Sequence, residues 1–251
     1  MVICQVSFFG AAIQKAAGMN VIIPENLKGR APVLYLLHGL SDDYTGWCRR
    51  TSIERYVSNM KLIVVMPDSN RGWYTNSVHP PGLRFEDHIM KDVIGFVERT
   101  FPVICERHGR AIGGLSMGGY GAIKLALKHP DVFCSAHSHS GALTRLAALA
   151  QATQTDSYIL EAKAIFGTSA AGGREDCVAL AETCPRSRRP CLWIDCGTQD
   201  SLIQDNRQMH RHLLKLRYKH TYHEYPGAHD WPYWDAHIQD ALAFHAKNLK
   251  I

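Results

Sequence analysis

Arg110-Ala111-Ile112-Gly113-Gly114-Leu115-Ser116-Met117-Gly118-Gly119-Tyr120-Gly121 is the stretch on which the reading of this 251-residue chain turns. Arg110–Leu115 reads as a short strand, and Ala122–Lys128 continues the segment as a helix. Between them, Gly114-Leu115-Ser116-Met117-Gly118 has the pattern G-x-S-x-G. Glycine is needed on both sides because, in so tight a strand-to-helix turn, side chains would collide with neighbouring backbone. The turn lifts the serine hydroxyl clear of the sheet and aims the first amides of the helix at the space beside it.

Working outward, short apolar runs alternate with helical patterns, the signature of a mostly parallel central sheet flanked by helices. Val2–Phe9 and Met19–Pro24 read as an opening pair of strands, followed by Pro32–His38 and Lys61–Met66. Val132–His137, Pro190–Asp195 and Thr221–Tyr225 supply the later strands. Helices are expected over Phe85–Phe101, Leu202–Leu216 and Tyr233–Leu249. The pattern loosens between Ser140 and Arg189, with a helical stretch near Tyr158–Phe166 and a Gly/Ala-rich break at 168–173. A segment of that length is too long for a plain connection, so residues 140–189 are expected to form a cap-like insertion after the sixth strand. No linker or repeat divides the chain, and residues 1–251 read as one α/β domain.

The 28 basic and 23 acidic residues are spread along the chain, so no dense basic tract points to nucleic acid. No apolar run reaches the roughly 20 residues of a membrane-spanning helix. The N-terminus lacks the basic and apolar regions of an export signal. The eight cysteines form no C-x2-C pair and are expected to be buried free thiols, which implies a cytoplasmic location. His137-Ser138-His139 and His210-Arg211-His212 each pair two histidines without a third ligand at a telling spacing, so no metal is expected.

A serine hydroxyl is a weak nucleophile until a base takes its proton, so Ser116 calls for a histidine and an orienting acid. On a sheet of this kind they follow the serine in the order acid, then histidine. Asp195 and Asp200 both lie near the end of the strand Pro190–Asp195; Asp200 is favoured because it falls beyond Gly197 on the exposed loop. Asp205 falls in the following helix. His229 lies between the last strand and the last helix, where the base is supplied. His220 and His223 read as surface positions, and His237 and His245 as the solvated face of the closing helix. The backbone amides of Leu40, after Gly39, and of Met117 are the expected oxyanion donors. Trp47, Trp73 and Tyr74 are candidates for lining a substrate pocket.

Four segments together carry a family resemblance: His38-Gly39-Leu40, Gly114–Gly121, Gly197–Leu202 and Gly227-Ala228-His229-Asp230-Trp231. In this order they resemble the esterase D-like "putative esterase" family. Pro67-Asp68 with Arg71–Thr75 is similar to its tributyrin-esterase branch. The resemblance implies an α/β-hydrolase fold, a Ser116–Asp200–His229 triad, and hydrolysis of a short-chain acyl ester without cofactor. Related branches hydrolyse S-formylglutathione or feruloyl and acetylxylan esters. Tyr120 and His229-Asp230-Trp231 depart from the S-formylglutathione hydrolase pattern, which carries histidine after the elbow glycines and a D-H-S-Y-Y-like stretch around the base. Transfer of the acyl group to another alcohol, or a non-catalytic binding module on the same scaffold, are the rival readings. Exposed edge strands would also allow a homo-oligomer.

Overall fold

The computed structural model describes residues 1–79, 83–145, 149, 152, 157–168 and 171–251. Among these, the strands form one eight-stranded sheet: β1 (Val2–Gly10), β2 (Lys15–Ile23), β3 (Val33–Leu37), β4 (Ile63–Pro67), β5 (Arg110–Leu115), β6 (Ser135–His139), β7 (Cys191–Gly197) and β8 (His220–Tyr225). Their spatial order is β1-β2-β4-β3-β5-β6-β7-β8. β1 and β2 form an antiparallel hairpin that joins β4 antiparallel; every other pairing is parallel.

The apolar run Val33–Leu37 is buried along its whole length because both faces of the sheet are covered. Val33, Tyr35 and Leu37 point into one core with α4 (Met117–Lys128), α5 (Ser157–Phe166), α6 (Cys177–Thr183) and α7 (Ile203–Lys215). Also on that side is α3, a helix over residues 85–100 whose middle turn, His88–Val93, is π-helical. Leu34 and Leu36 point the other way, toward α1 (Gly46–Arg50), α2 (Ile53–Tyr56) and α8 (Trp231–Leu249). Alternation along the strand thus divides one sequence between two layers.

Four sequence expectations need correction. The sixth strand lies two residues later than Val132–His137 at its end, because four of the five residues of Ser-Ala-His-Ser-His are polar yet all five are buried. His245 is not on a solvated face: it is fully buried on α8, with Nδ1 at 2.8 Å from the Ser135 hydroxyl and Nε2 at 2.7 Å from His137 Nδ1. His220 and His223 are half-buried rather than exposed. The cysteines are all unpaired, with Cys177, Cys184 and Cys196 buried, but Cys191 is exposed.

Between β6 and β7, the insertion contains α5 and α6. The expected Gly/Ala-rich break includes residues 169–170, which lie outside the described residues, as do 146–148, 150–151 and 153–156 of the same segment. No helix of the described residues is long and apolar enough to cross a membrane. Nor do three His, Cys, Asp or Glu side chains among them converge as a metal site requires.

Candidate active site

The turn between β5 and α4 is as tight as the glycine pattern requires. A Cβ on Gly114 would lie 2.6 Å from the Leu37 carbonyl oxygen, and one on Gly118 would lie 2.5 Å from the same atom. The end of β3 therefore passes directly against the turn, and only glycine fits on either side of the serine. Ser116 itself takes φ 52° and ψ −114°, a conformation that costs a non-glycine residue on the order of 1–3 kcal/mol. Its N–H donates to the His139 carbonyl at 2.9 Å, which fixes the turn to β6.

The loops after β7 and β8 are laced together. The Thr198 and Gln199 amides donate to the carbonyls of Tyr225 and Gly227 at 2.8 and 2.9 Å. This brings Asp200 against His229, whose Nδ1 lies 2.8 Å from Asp200 Oδ2. A carboxylate only accepts, so Nδ1 carries the proton and Nε2 presents a lone pair. That lone pair lies 3.0 Å from Ser116 Oγ. Burial by itself would raise the Asp200 carboxyl, but hydrogen bonds from His229, the Leu202 amide and the Ser140 hydroxyl outweigh it, and it sits below the usual carboxylate range. Asp230 caps α8 by accepting the Tyr233 amide at 3.1 Å, so the helix starts two residues after His229.

Asp195 takes no part in this arrangement. It is fully buried in β7, where its carboxylate accepts from His139 Nδ1 (2.7 Å), Trp193 Nε1 (2.6 Å) and the Tyr233 hydroxyl (2.8 Å). Asp205 lies on α7, near Arg145 and Thr144.

The amides of Leu40 and Met117 have no hydrogen-bond partner among the described residues. Met117 opens α4, so its N–H is one of the free donors at a helix start. Gly39 packs beside Ser116: a Cβ there would be 3.8 Å from the serine Cβ. The loop leading to Leu40 is held by buried groups. Trp47 Nε1 donates to the Leu37 carbonyl at 3.0 Å, and the Tyr74 hydroxyl to the His38 carbonyl at 2.9 Å. The Ser69 amide donates to His38 Nε2 at 3.0 Å, leaving Nδ1–H to donate to the Gly39 carbonyl at 2.8 Å.

Trp47, Trp73 and Tyr74 are 1%, 3% and 0% exposed, so they offer a substrate almost no surface in this structure. Trp47 and Tyr74 brace the loop instead, while Trp73 packs edge-on against Tyr120 and Phe166. Arg71 joins that loop to the insertion, since its guanidinium bonds both carboxylate oxygens of Glu161 on α5 and the Ser41 hydroxyl.

Sequence reasoning also passed over what lies behind the turn. Lys124, buried on α4, donates to the Tyr74 carbonyl (2.6 Å), Thr75 Oγ1 (3.0 Å), Glu86 (3.0 Å) and Glu175 (2.9 Å). Lys128 bonds the same two carboxylates. Although burial alone would raise the Glu86 carboxyl, His129 and the two lysines hold it far below its ordinary value. The sequence signal was available: two lysines four apart on an otherwise apolar helix.

The chain is similar to known proteins over nearly its whole length. A family model described as "putative esterase" matches residues 10–245. An acetyl esterase of Caldicellulosiruptor saccharolyticus is 28% identical over 271 aligned positions, spanning 98% of this chain and 99% of that protein. The fluorophosphonate-binding serine hydrolase FphF of Staphylococcus aureus superimposes with a TM-score of 0.87 at 32% identity, covering 97% of this chain and 98% of its own. S-formylglutathione hydrolase (FrmB) of the same organism gives 0.84 at 31% identity, covering 98% and 99%. A serine turn on an α/β-hydrolase sheet and a family pattern running through nearly the whole length lead to one conclusion: the chain belongs to the "putative esterase" family and is a serine ester hydrolase.

Proposed function

We propose that the protein hydrolyses short-chain carboxylic esters through an acyl-enzyme, with Ser116 as nucleophile, His229 as base and Asp200 as orienting acid. The observation that carries the reading is the unbroken chain from Ser116 Oγ to His229 Nε2 at 3.0 Å and from His229 Nδ1 to Asp200 at 2.8 Å. Ser116 attacks the ester carbonyl as His229 takes its proton. Asp200 holds the imidazole in its tautomer and stabilises the imidazolium. The amides of Leu40 and Met117 receive the oxyanion, and His229 returns the proton to the leaving alcohol. Water then repeats the cycle to release the acid.

The likeness to an acetyl esterase supports a small acyl group. The likeness to an S-formylglutathione hydrolase makes a thioester the second reading, and kcat/KM on p-nitrophenyl acetate, butyrate and S-formylglutathione separates the two. The unpaired cysteines favour a reducing, cytoplasmic setting. The test of the site is intact mass after fluorophosphonate treatment, with peptide mapping. One adduct on Ser116 is expected, together with a loss of about 10⁴-fold or more in kcat for Ser116→Ala. No adduct on folded protein, or near-native turnover by Ser116→Ala, refutes the assignment.

A further inference from the structure

The loop after β4 grips the loop after β3 at three points. Two are buried and belong to the bracing described above: the Ser69 amide on His38 Nε2 and the Tyr74 hydroxyl on the His38 carbonyl. The third is Arg71, which is half-buried and has two partners. At one end its Nη1 donates to Ser41 Oγ. At the other it meets the Glu161 carboxylate of α5 edge to edge, with Nε 2.8 Å from Oε1 and Nη2 2.6 Å from Oε2. Leu40 and Ser41 are the two central residues of a tight turn, closed by the Asp42 amide donating to the Gly39 carbonyl at 3.2 Å. Ser41 takes φ 69° there, a value that turns ordinarily give to glycine. Among the described residues its hydroxyl bonds only to Arg71. The amide of Leu40, in the same turn, is the one the proposed mechanism assigns to the oxyanion.

We propose that Arg71 is a positioning residue that ties the Leu40 turn to the insertion, so that the seating of α5 sets the aim of one oxyanion donor; the inference rests on the triad reading above. A guanidinium is flat and rigid, so a carboxylate bonded along one edge fixes where the remaining N–H groups point. Glu161 occupies that edge and leaves Nη1 aimed at Ser41. Ion pairs as exposed as this one contribute little to stability, so the link acts on geometry rather than on folding. Oxyanion stabilisation is sensitive to such geometry. Loss of a whole donor costs about 10²–10³-fold in kcat, and a donor swung partly out of line costs a fraction of that. The bond to the oxyanion exists only in the transition state, so the loss falls on kcat and leaves KM nearly unchanged.

The test is kcat and KM on p-nitrophenyl acetate for the wild type, Arg71→Ala, Ser41→Gly, Glu161→Ala and the double variant of Arg71→Ala with Ser41→Gly. Arg71→Ala and Ser41→Gly should each lower kcat by about fivefold to twentyfold, with KM within about twofold. Because both remove the same bond, the double variant should match the weaker single variant within about twofold. Glu161→Ala frees the guanidinium without touching the turn, and should lower kcat by about threefold. Ser41→Gly suits φ 69° and so keeps the fold; it decides alone if Arg71→Ala does not fold. Wild-type kcat in Ser41→Gly or Glu161→Ala, a loss confined to KM, or losses that multiply in the double variant overturn the proposal. Fluorophosphonate labelling of wild-type Ser116 separates the two failures. Labelling with an unchanged kcat in the variants sinks only the Arg71 link, and no labelling sinks the triad itself.

Discussion

Lowering the pH from 6 to 5 should cost this fold more stability than its carboxylates can explain, because of His137 and His245. Both are fully buried between β6 and α8 and bonded to each other at 2.7 Å. Burial pushes His245 down to about 3 and His137 well below its usual value. In the unfolded chain each titrates near 6.5 and binds protons that the native state refuses. Stability is therefore complete above about pH 6.5 and is lost as pH falls toward the folded values. Between pH 6 and 5 each free histidine carries on average about 0.9 proton. This gives about 1.2 kcal/mol per residue and about 2.4 kcal/mol for the pair, against a typical total of 5–15 kcal/mol. Glu86 and Asp200, held below the ordinary carboxylate range, lose their contributions only at lower pH. His88, His210 and His220 are also lowered by burial and add to the slope, so the pair must be read by difference. Urea denaturation at about pH 7.5, 6 and 5 makes the measurement. The wild type should lose at least about 2.4 kcal/mol over the last step. His245→Gln should be less stable at neutral pH but about 1.2 kcal/mol per pH unit less sensitive. Equal slopes for the two proteins would refute the reasoning.

Asp200→Asn should lower kcat by roughly 10³–10⁴-fold by favouring the wrong tautomer of His229, with thermal stability nearly unchanged. Asp195→Asn should do the opposite. It leaves kcat per folded molecule within a few-fold but costs about 2–3 kcal/mol, because buried His139 and Tyr233, and half-buried Trp193, lose a charged acceptor. A reversed pattern in parallel kinetics and melts would move the acid to Asp195. Lys124→Met should destabilise by about 3–5 kcal/mol in urea, since Glu86 and Glu175 lose the cation buried between them. A shift under about 1 kcal/mol would show the cluster to be weakly coupled to folding.

Legibility in the sequence followed the kind of force at work. Runs such as Val33–Leu37 and Ile63–Pro67 are buried on both faces and apolar throughout, so they read as strands directly. Ser116, Asp200 and His229 could be put forward together because each occupies a turn or loop whose position is set by chain order, and the structure brings their side chains within hydrogen-bonding distance. β6 was misplaced because burial there is satisfied by hydrogen bonds among Ser135, His137, His139, Asp195 and His245, partners as far as 110 residues apart in the chain. Periodicity cannot register a polar residue that is buried by its partner. The same limit made Trp47 and Tyr74 look like pocket walls, when their polar atoms anchor backbone carbonyls.

The left-handed backbone at Ser116 has a consequence for how such a chain can change. Glycine at that position would relieve the strain, so Ser116→Gly should melt higher than Ser116→Ala while being just as inactive. Under the proposed function, selection for turnover therefore holds this chain below the stability its own fold could reach. A descendant released from that selection has an easy route to a firmer protein that has lost its chemistry. An engineer wanting an inert, robust scaffold could take the same route in one substitution.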